Sequence, residues 1–191
     1  MSRSAPKPLR KDVIQNRAAL LDAARAVFAD HGLDAPLDLI AEKAAVGRGT
    51  LYRHFADRTE LVLAVLEADV AELGRRTAER GAAPDAFFWF VDRLADQMIN
   101  NAGMADMVRN VRSPDALTPL RQSLMAAGAA PLARAQAAGL VRKDLRPMDI
   151  RLIATLLGAG FQGADAAERQ AVSQRTRAIL LDGLRPRPEA S

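Results

Sequence analysis

Val46-Gly-Arg-Gly-Thr-Leu-Tyr-Arg-His-Phe55 is the stretch on which the reading of this 191-residue chain turns. Wound as a helix, it puts Leu51 and Phe55 four apart on one side, where a core can take them. The opposite side carries Gly49 and Arg53, flanked by Thr50 and Tyr52, with Arg48 and His54 at the shoulders. A short helix that hides two hydrophobes and presents arginines, hydroxyls and an imidazole is built to lie against something anionic. Gly49 sharpens this, because glycine in an exposed helix interior costs about 1 kcal/mol relative to alanine. Its presence marks a backbone that must approach its target closely. The major groove of DNA fits these groups best.

Outward from that helix, the preceding residues supply a scaffold. Ile14, Ala18, Leu21, Ala24 and Phe28 recur at helical spacing, and His31-Gly32 ends that helix with a glycine C-cap. Pro36 fits the first turn of a second, short helix whose buried residues would be Leu39, Ile40 and Ala44. A tight turn follows, and then the arginine-bearing helix. This order is a helix-turn-helix unit whose last helix reads the groove. Ahead of it lie Arg3, Lys7, Arg10, Lys11 and Arg17, opposed only by Asp12. Residues 1–12 therefore read as a flexible basic arm that reaches phosphates or a minor groove, or as a merely disordered terminus.

From about Asn16 to Leu66, a little over a quarter of the chain, the sequence resembles the DNA-binding domain of the TetR family of bacterial transcriptional regulators. The resemblance rests on Ala23-Ala-Arg-Ala-Val-Phe28, Gly32, Ile40-Ala41, Ala44-Ala-Val46, Gly49-Thr-Leu-Tyr-Arg-His-Phe55 and Asp57-Arg58 before Leu61. Ala135-Gln-Ala-Ala-Gly-Leu-Val-Arg-Lys-Asp-Leu145 is more weakly similar to the turn before the family's dimer-forming helices. The resemblance implies that Arg48, Thr50 and Arg53 face bases or nearby phosphates and that Gly49 packs close to the bases. It implies phosphate contacts for Tyr52 and His54, and a basic DNA-contacting role for Arg58. Two positions depart from the pattern. Pro36-Leu37-Asp38 stands where many members begin the second helix with a hydroxyl residue, so Asp38 would repel a phosphate if it pointed at one. Ala45 occupies a turn position usually held by glycine; if φ is positive there, alanine carries about 1 kcal/mol of strain.

Composition bounds the remainder. Hydrophobic residues make up 49% of the chain and aromatics only 4%, a balance that favours helices, and no convincing strand alternation appears. The expected fold is all-α. An N-terminal three-helix helix-turn-helix DNA-binding domain (13–60) is followed by a larger C-terminal helical ligand-binding and dimerisation domain (61–191). Net charge is +4, which permits nucleic-acid binding without requiring it. Cysteine is absent, which removes disulfides and thiolate chemistry. No apolar run has the length of a signal peptide or membrane span, so the expected location is the cytoplasm and no membrane partner is expected. Both histidines, His31 and His54, fall in the DNA-binding unit. Asp92 and Asp96 sit one turn apart, as exposed carboxylates routinely do. An enzyme, a metal and a cofactor are therefore not expected.

In the larger domain, Asp57 reads as an N-cap for a helix whose apolar stripe is Leu61, Val65, Leu66 and Val70, reaching toward Arg80. Phe87 to Met98 supplies another helix. Helical sequence resumes from about Leu117 to Ala138, interrupted by Gly128 and Pro131, where proline either kinks the helix or marks a loop. After the turn Arg142–Pro147 comes the stripe Ile150, Ile153, Leu157 and Phe161, and Asp165 caps a last helix carrying Val172, Ile179, Leu180 and Leu184. Ile153, Leu157, Phe161, Val172, Ile179 and Leu180 are the expected homodimer interface, against the reading that these helices complete the monomer core. Trp89, Phe90, Met98, Met107, Leu124 and Met125 are the expected pocket for a small-molecule effector, against the reading that they are ordinary core. The expected function is a dimeric repressor on double-stranded DNA, an inverted repeat, released by a small apolar or amphipathic ligand. The alternatives are an activator of the same fold and a helical interaction protein that reads no DNA.

Overall fold

The computed structural model describes residues 10–111, 113, 115–158 and 165–186, and among them it contains helices and no strand. The chain divides into two compact units, Met1–Val65 and Leu66–Ser191. The division falls inside a helix, a few residues beyond the boundary at 60 and 61 expected from sequence.

The first unit contains α1 (Arg10–His31), α2 (Leu37–Lys43), α3 (Arg48–His54) and the opening turns of α4 (Arg58–Glu79). Its core is Leu20, Leu21, Ala24, Val27, Phe28, Ile40, Ala41, Leu51, Phe55, Leu61 and Val62. The inward face of α1 begins later than the sequence stripe, since Ile14 is 69% exposed and Ala18 is exposed. Length explains this. A 22-residue helix is about 33 Å long, whereas the seven-residue α2 and α3 span about 10 Å each, so the first turns of α1 outrun their packing partners in this unit. The same helix takes in Arg10, Lys11 and Asp12, which the sequence reading had given to a flexible arm; residues 1–9, with Arg3 and Lys7, lie outside the described residues. On α2 the buried residues are Ile40 and Ala41, while Leu39 is 37% exposed and Ala44 half-buried.

Caps punctuate this unit. Gly32 sits at φ +78° with its N–H donating to the Phe28 carbonyl at 3.1 Å. Pro36 is the N-cap of α2, one place earlier than expected. At the other end of α2, Val46 N–H donates to the Ala41 carbonyl and Ala45 N–H to the Glu42 carbonyl, both at 3.0 Å. These two bonds form a Schellman motif with Ala45 at the left-handed position, φ +53°. Asp57 caps α4, its Oδ1 accepting from Glu60 N–H at 2.8 Å, and Glu60 Oε2 accepts in return from Ala56 N–H at 2.6 Å.

The second unit contains the rest of α4, α5 (Ala86–Asn100), α6 (Ala102–Arg109), a 3₁₀ turn (Asp115–Leu117), α7 (Thr118–Ala137), α8 (Asp149–Gly158) and α9 (Ala166–Leu184). Helix α5 is central, packing on α7, α8 and α9 through Phe87, Phe90, Val91 and Leu94. The expected interruption of α7 does not occur. Gly128 is buried where an added Cβ would stand 2.6 Å from Ile150 Cδ1 and 3.0 Å from Phe90 Cε1, so glycine serves close packing there. Pro131 is buried inside the continuous helix. Glycine thus marks a tight contact in α7, and neither residue ends the helix. A Schellman motif ends it, with Gly139 at φ +69°. Gln136 Nε2 donates to the carbonyls of Arg142 and Leu145 at 3.0 and 2.9 Å, tying down the turn into α8. Asp165 caps α9, accepting from Glu168 N–H at 2.8 Å.

Candidate functional site

Helix α3 is anchored by Leu51 and by Phe55 just past its end, both 1% exposed. Its N-cap is Gly47 in extended conformation, and the turn set by Ala45 aims it. The outward side carries Tyr52, 53% exposed, together with exposed Arg48, Gly49 and Arg53. Arg53 folds back along its own helix, donating through Nε to the Gly49 carbonyl at 3.0 Å and through Nη2 to Thr50 Oγ1 at 2.9 Å. Arg53, Gly49 and Thr50 therefore form one patch. An added Cβ on Gly49 would meet nothing within 4 Å, so nothing in the chain's own packing demands glycine there. His54 is half-buried, its ring tilted 41° against Phe55 at 6.1 Å.

Two cations have partners that the sequence did not reveal. Arg48 pairs with Asp38 at 2.7 Å, which draws the carboxylate on α2 toward the start of α3 and answers the concern that it would oppose a phosphate unneutralised. Arg58 differs more from expectation. Its half-buried guanidinium donates to the carbonyls of Leu33 and Ala35, the latter at 2.7 Å, closing the loop between α1 and α2. Its Nη1 serves the fold, a role that the resemblance did not imply. Arg17 lies 5.4 Å over the Phe55 ring, a stacking contact and not part of a loose arm. These contacts join residues far apart in sequence, and no local pattern could have signalled them.

In the second unit, a cavity of about 420 Å³ opens among α4, α5, α6, α7 and α8. Of the residues singled out in the sequence, Met98 and Leu124 line it. Phe90 does not, being fully buried and stacked on Phe87 with centroids 6.4 Å apart. Trp89 lies beneath the guanidinium groups of Arg76 and Arg80, at 5.9 and 5.3 Å, and Met107 and Met125 are half-buried outside the lining. The wall includes polar groups that a search for flexible apolar residues passes over: Asp69, Gln97, Asn101, Arg109, Arg121 and Arg151.

The expected dimer residues also divide. Ile153 and Leu157 are 5% and 1% exposed and belong to the core of their own unit, where they meet α5. Val172 and Leu180 are half-buried, Ile179 is 57% exposed, and Phe161 lies outside the described residues. What α8 leaves open is its other face, Leu152 and Leu156, continued by Met148 just before the helix; the three are between 51% and 55% exposed and spaced four apart. Asp92 and Asp96 are bridged by Arg177 at 3.4 Å and flanked by Arg93, an ion-pair cluster and not an acid–base pair. Hydrogen bonding to Glu72 and to Asp144 raises the pKa values of Arg75 and Arg142 respectively, so both stay charged. Among the described residues no group of acidic or histidine side chains has a metal-holding arrangement, and no helix is long and apolar enough to cross a membrane.

Comparison with known proteins agrees with this geometry. Residues 20–65 match the family model for bacterial regulatory proteins of the tetR family. Residues 82–186 match that for the C-terminal domain of SbtR-like transcriptional regulators. The chain is 41% identical over 90 residues to the HTH-type transcriptional activator FasR of Mycolicibacterium smegmatis, a match covering 41% of either chain. It is 30% identical over 93 residues to the HTH-type transcriptional repressor AcnR of Corynebacterium diphtheriae, covering 44% of this chain and 49% of that one. The matches thus span less than half the length of these two relatives. A TetR transcriptional regulator of known structure from Streptomyces coelicolor is 34% identical with a TM-score of 0.63, over 90% of this chain and 99% of that one. With a recognition unit, a second helical unit and both family models accounted for, this chain belongs to the tetR family of bacterial regulatory proteins.

Proposed function

We propose that the chain is a sequence-specific transcriptional regulator that binds double-stranded DNA as a homodimer on an inverted repeat and releases it when a small apolar or amphipathic effector binds. The observation that carries this reading is α3, a helix pinned by Leu51 and Phe55 that presents Arg48, Gly49, Tyr52 and Arg53 outward. Thr50 and His54 stand at its edges, and Arg58 supports the loop behind it. A single seven-residue helix makes few base contacts, so specificity calls for two copies on half-sites about 34 Å apart. The exposed stripe Met148, Leu152 and Leu156, with Ile179 on α9, supplies the apolar surface for pairing with a second copy.

Effector control follows from the path of α4. Its first turn is capped by Asp57 beside α3 in sequence, and farther along Leu66, Asp69 and Val70 line the cavity. A ligand that prefers one tilt of α4 shifts the population of dimers whose reading heads match successive grooves. It can weaken DNA binding only by its differential affinity for the two arrangements, typically about 1–3 kcal/mol. The protein works as a regulator in the cytoplasm, not as an enzyme. A repressor is the primary reading; FasR, an activator, supports the alternative sign, which depends on where the operator lies.

Selection of bound duplexes from a random pool tests the proposal. An inverted repeat with half-sites one helical turn apart is the expected product. Failure to enrich any duplex, together with no salt-sensitive binding, would refute DNA reading and leave the helical interaction protein.

A further inference from the structure

Asp38 stands in the first turn of α2, its side chain 42% exposed and 2.7 Å from the Arg48 guanidinium. An anion there runs against a surface that binds DNA. When a helix-turn-helix docks, the helix before the reading helix crosses the sugar-phosphate backbone, and the N-terminal residues of the reading helix meet base edges. By that geometry Asp38 lies near phosphates, while Arg48, the first residue of α3, lies near bases. Folding does not account for the pair. With the Arg48 side chain 73% exposed, an ion pair of this kind contributes little to stability.

The pair acts on where Arg48 can go. Arg53, the other arginine of α3, folds back onto the Gly49 carbonyl and the Thr50 hydroxyl of its own helix. Arg48 is held instead from a second helix and by a charged group. A guanidinium has five N–H donors, so one contact with a carboxylate oxygen leaves enough for a bidentate grip on guanine O6 and N7. Swinging out to a phosphate would break the pair and leave Asp38 bare among like charges. A side chain held in advance also loses less rotamer freedom on binding. We propose that Asp38 is a positioning residue that commits Arg48 to a guanine in each half-site and keeps it off phosphates, an inference that rests on the DNA-reading role of α3. Asp38 thereby lowers affinity for DNA in general and raises discrimination between sequences.

Duplex selection and salt titration, run on the full chain and on its Asp38→Asn and Asp38→Ser variants, test this. The parent should enrich a guanine at one position of each half-site, where replacement weakens binding about tenfold or more. In both variants that penalty should shrink severalfold at this position alone, while affinity for random duplex rises. The dependence of log K on log salt should steepen by about one unit as Arg48 reaches a phosphate. On an Arg48→Ala background, Asp38→Asn should leave the preference at that position unchanged, because no guanidinium remains to be positioned. A first-turn carboxylate also favours the positive end of the α2 dipole, so a purely structural role predicts a lower urea midpoint with base preferences untouched. That result would overturn the assignment, as would a loss spread evenly over all positions or the same shift on the Arg48→Ala background. If Asp38→Asn melts early, Asp38→Ser carries the same comparison. A parent that enriches no duplex refutes DNA reading and this role with it. A parent whose inverted repeat is selected unchanged by both variants refutes the role of Asp38 alone.

Discussion

Replacing Ala45 by glycine should make the protein more stable, and the structure supplies both the sign and the size. Ala45 is exposed, so the change removes no packing. Its φ of +53° lies in the left-handed region, which costs a residue with a Cβ about 1–2 kcal/mol. Glycine escapes that cost but gives back about 0.4–1 kcal/mol, because it frees the unfolded chain. The balance is a gain of about 0.5–1 kcal/mol. For a small unit that melts on its own this raises Tm by roughly 4 °C, and by about 2 °C if the whole chain melts together. Gly139 provides the reciprocal experiment. It ends α7 in the same pair of hydrogen bonds at φ +69°, and an added Cβ would meet nothing within 4 Å. Gly139→Ala should therefore lose about what Ala45→Gly gains. Urea melts followed by circular dichroism give both changes, with the m-value unchanged if two-state behaviour holds. An Ala45→Gly midpoint equal to or below that of the parent would refute the assignment of left-handed strain at this turn.

Other substitutions separate folding from binding. Gly49→Ala should stabilise the free protein by about 0.5–1 kcal/mol, since its Cβ enters open space, yet weaken binding to the selected duplex; unchanged affinity would mean that no DNA comes close to that backbone. Arg53→Ala should cost roughly 1–3 kcal/mol on the selected duplex and much less on random DNA, and equal losses in a competition assay would reassign it to phosphate binding. Arg58→Ala should lower the urea midpoint by the equivalent of about 1–2 kcal/mol through the loss of its bonds to Leu33 and Ala35. An unaltered midpoint with weakened DNA binding would return Arg58 to the DNA-contacting set. Leu156→Glu on the open face of α8 should shift the sedimentation profile toward monomer; a dimer that persists would show that this face is not the interface.

The recognition unit was largely legible in the sequence because its signals are local. Leu51 and Phe55 lie four apart, close enough along the chain to be buried together once a helix forms there, and the caps at Gly32 and Asp57 lie within four residues of the groups they satisfy. The structural partners of Arg58 were not legible, for the opposite reason. A cation next to a recognition helix is expected to face DNA, whereas its carbonyl partners lie 25 and 23 residues upstream in a loop that only the folded unit brings near. The lining of the cavity was not legible for a similar reason. Adaptable side chains such as Met107 and Met125 signal where a cavity can form, but which of them face it depends on how α5, α6 and α7 are rotated about their axes.

Helix α8 shows where the division lies. Its run Ile150-Arg-Leu-Ile-Ala-Thr-Leu-Leu157 is apolar on two sides, so periodicity makes it a helix without saying which side faces inward. Packing against α5, α7 and α9 decides that, turning Ile150, Ile153 and Leu157 into the core and leaving Leu152 and Leu156 outside. The amino-acid sequence alone determined the helical class, the helix-turn-helix order and the outward arginines of α3, because these follow from spacing within a few turns. The tertiary structure alone decided which apolar stripe is surface, which cations are already engaged and which side chains line the cavity, because burial is settled by neighbours that the chain brings together only on folding.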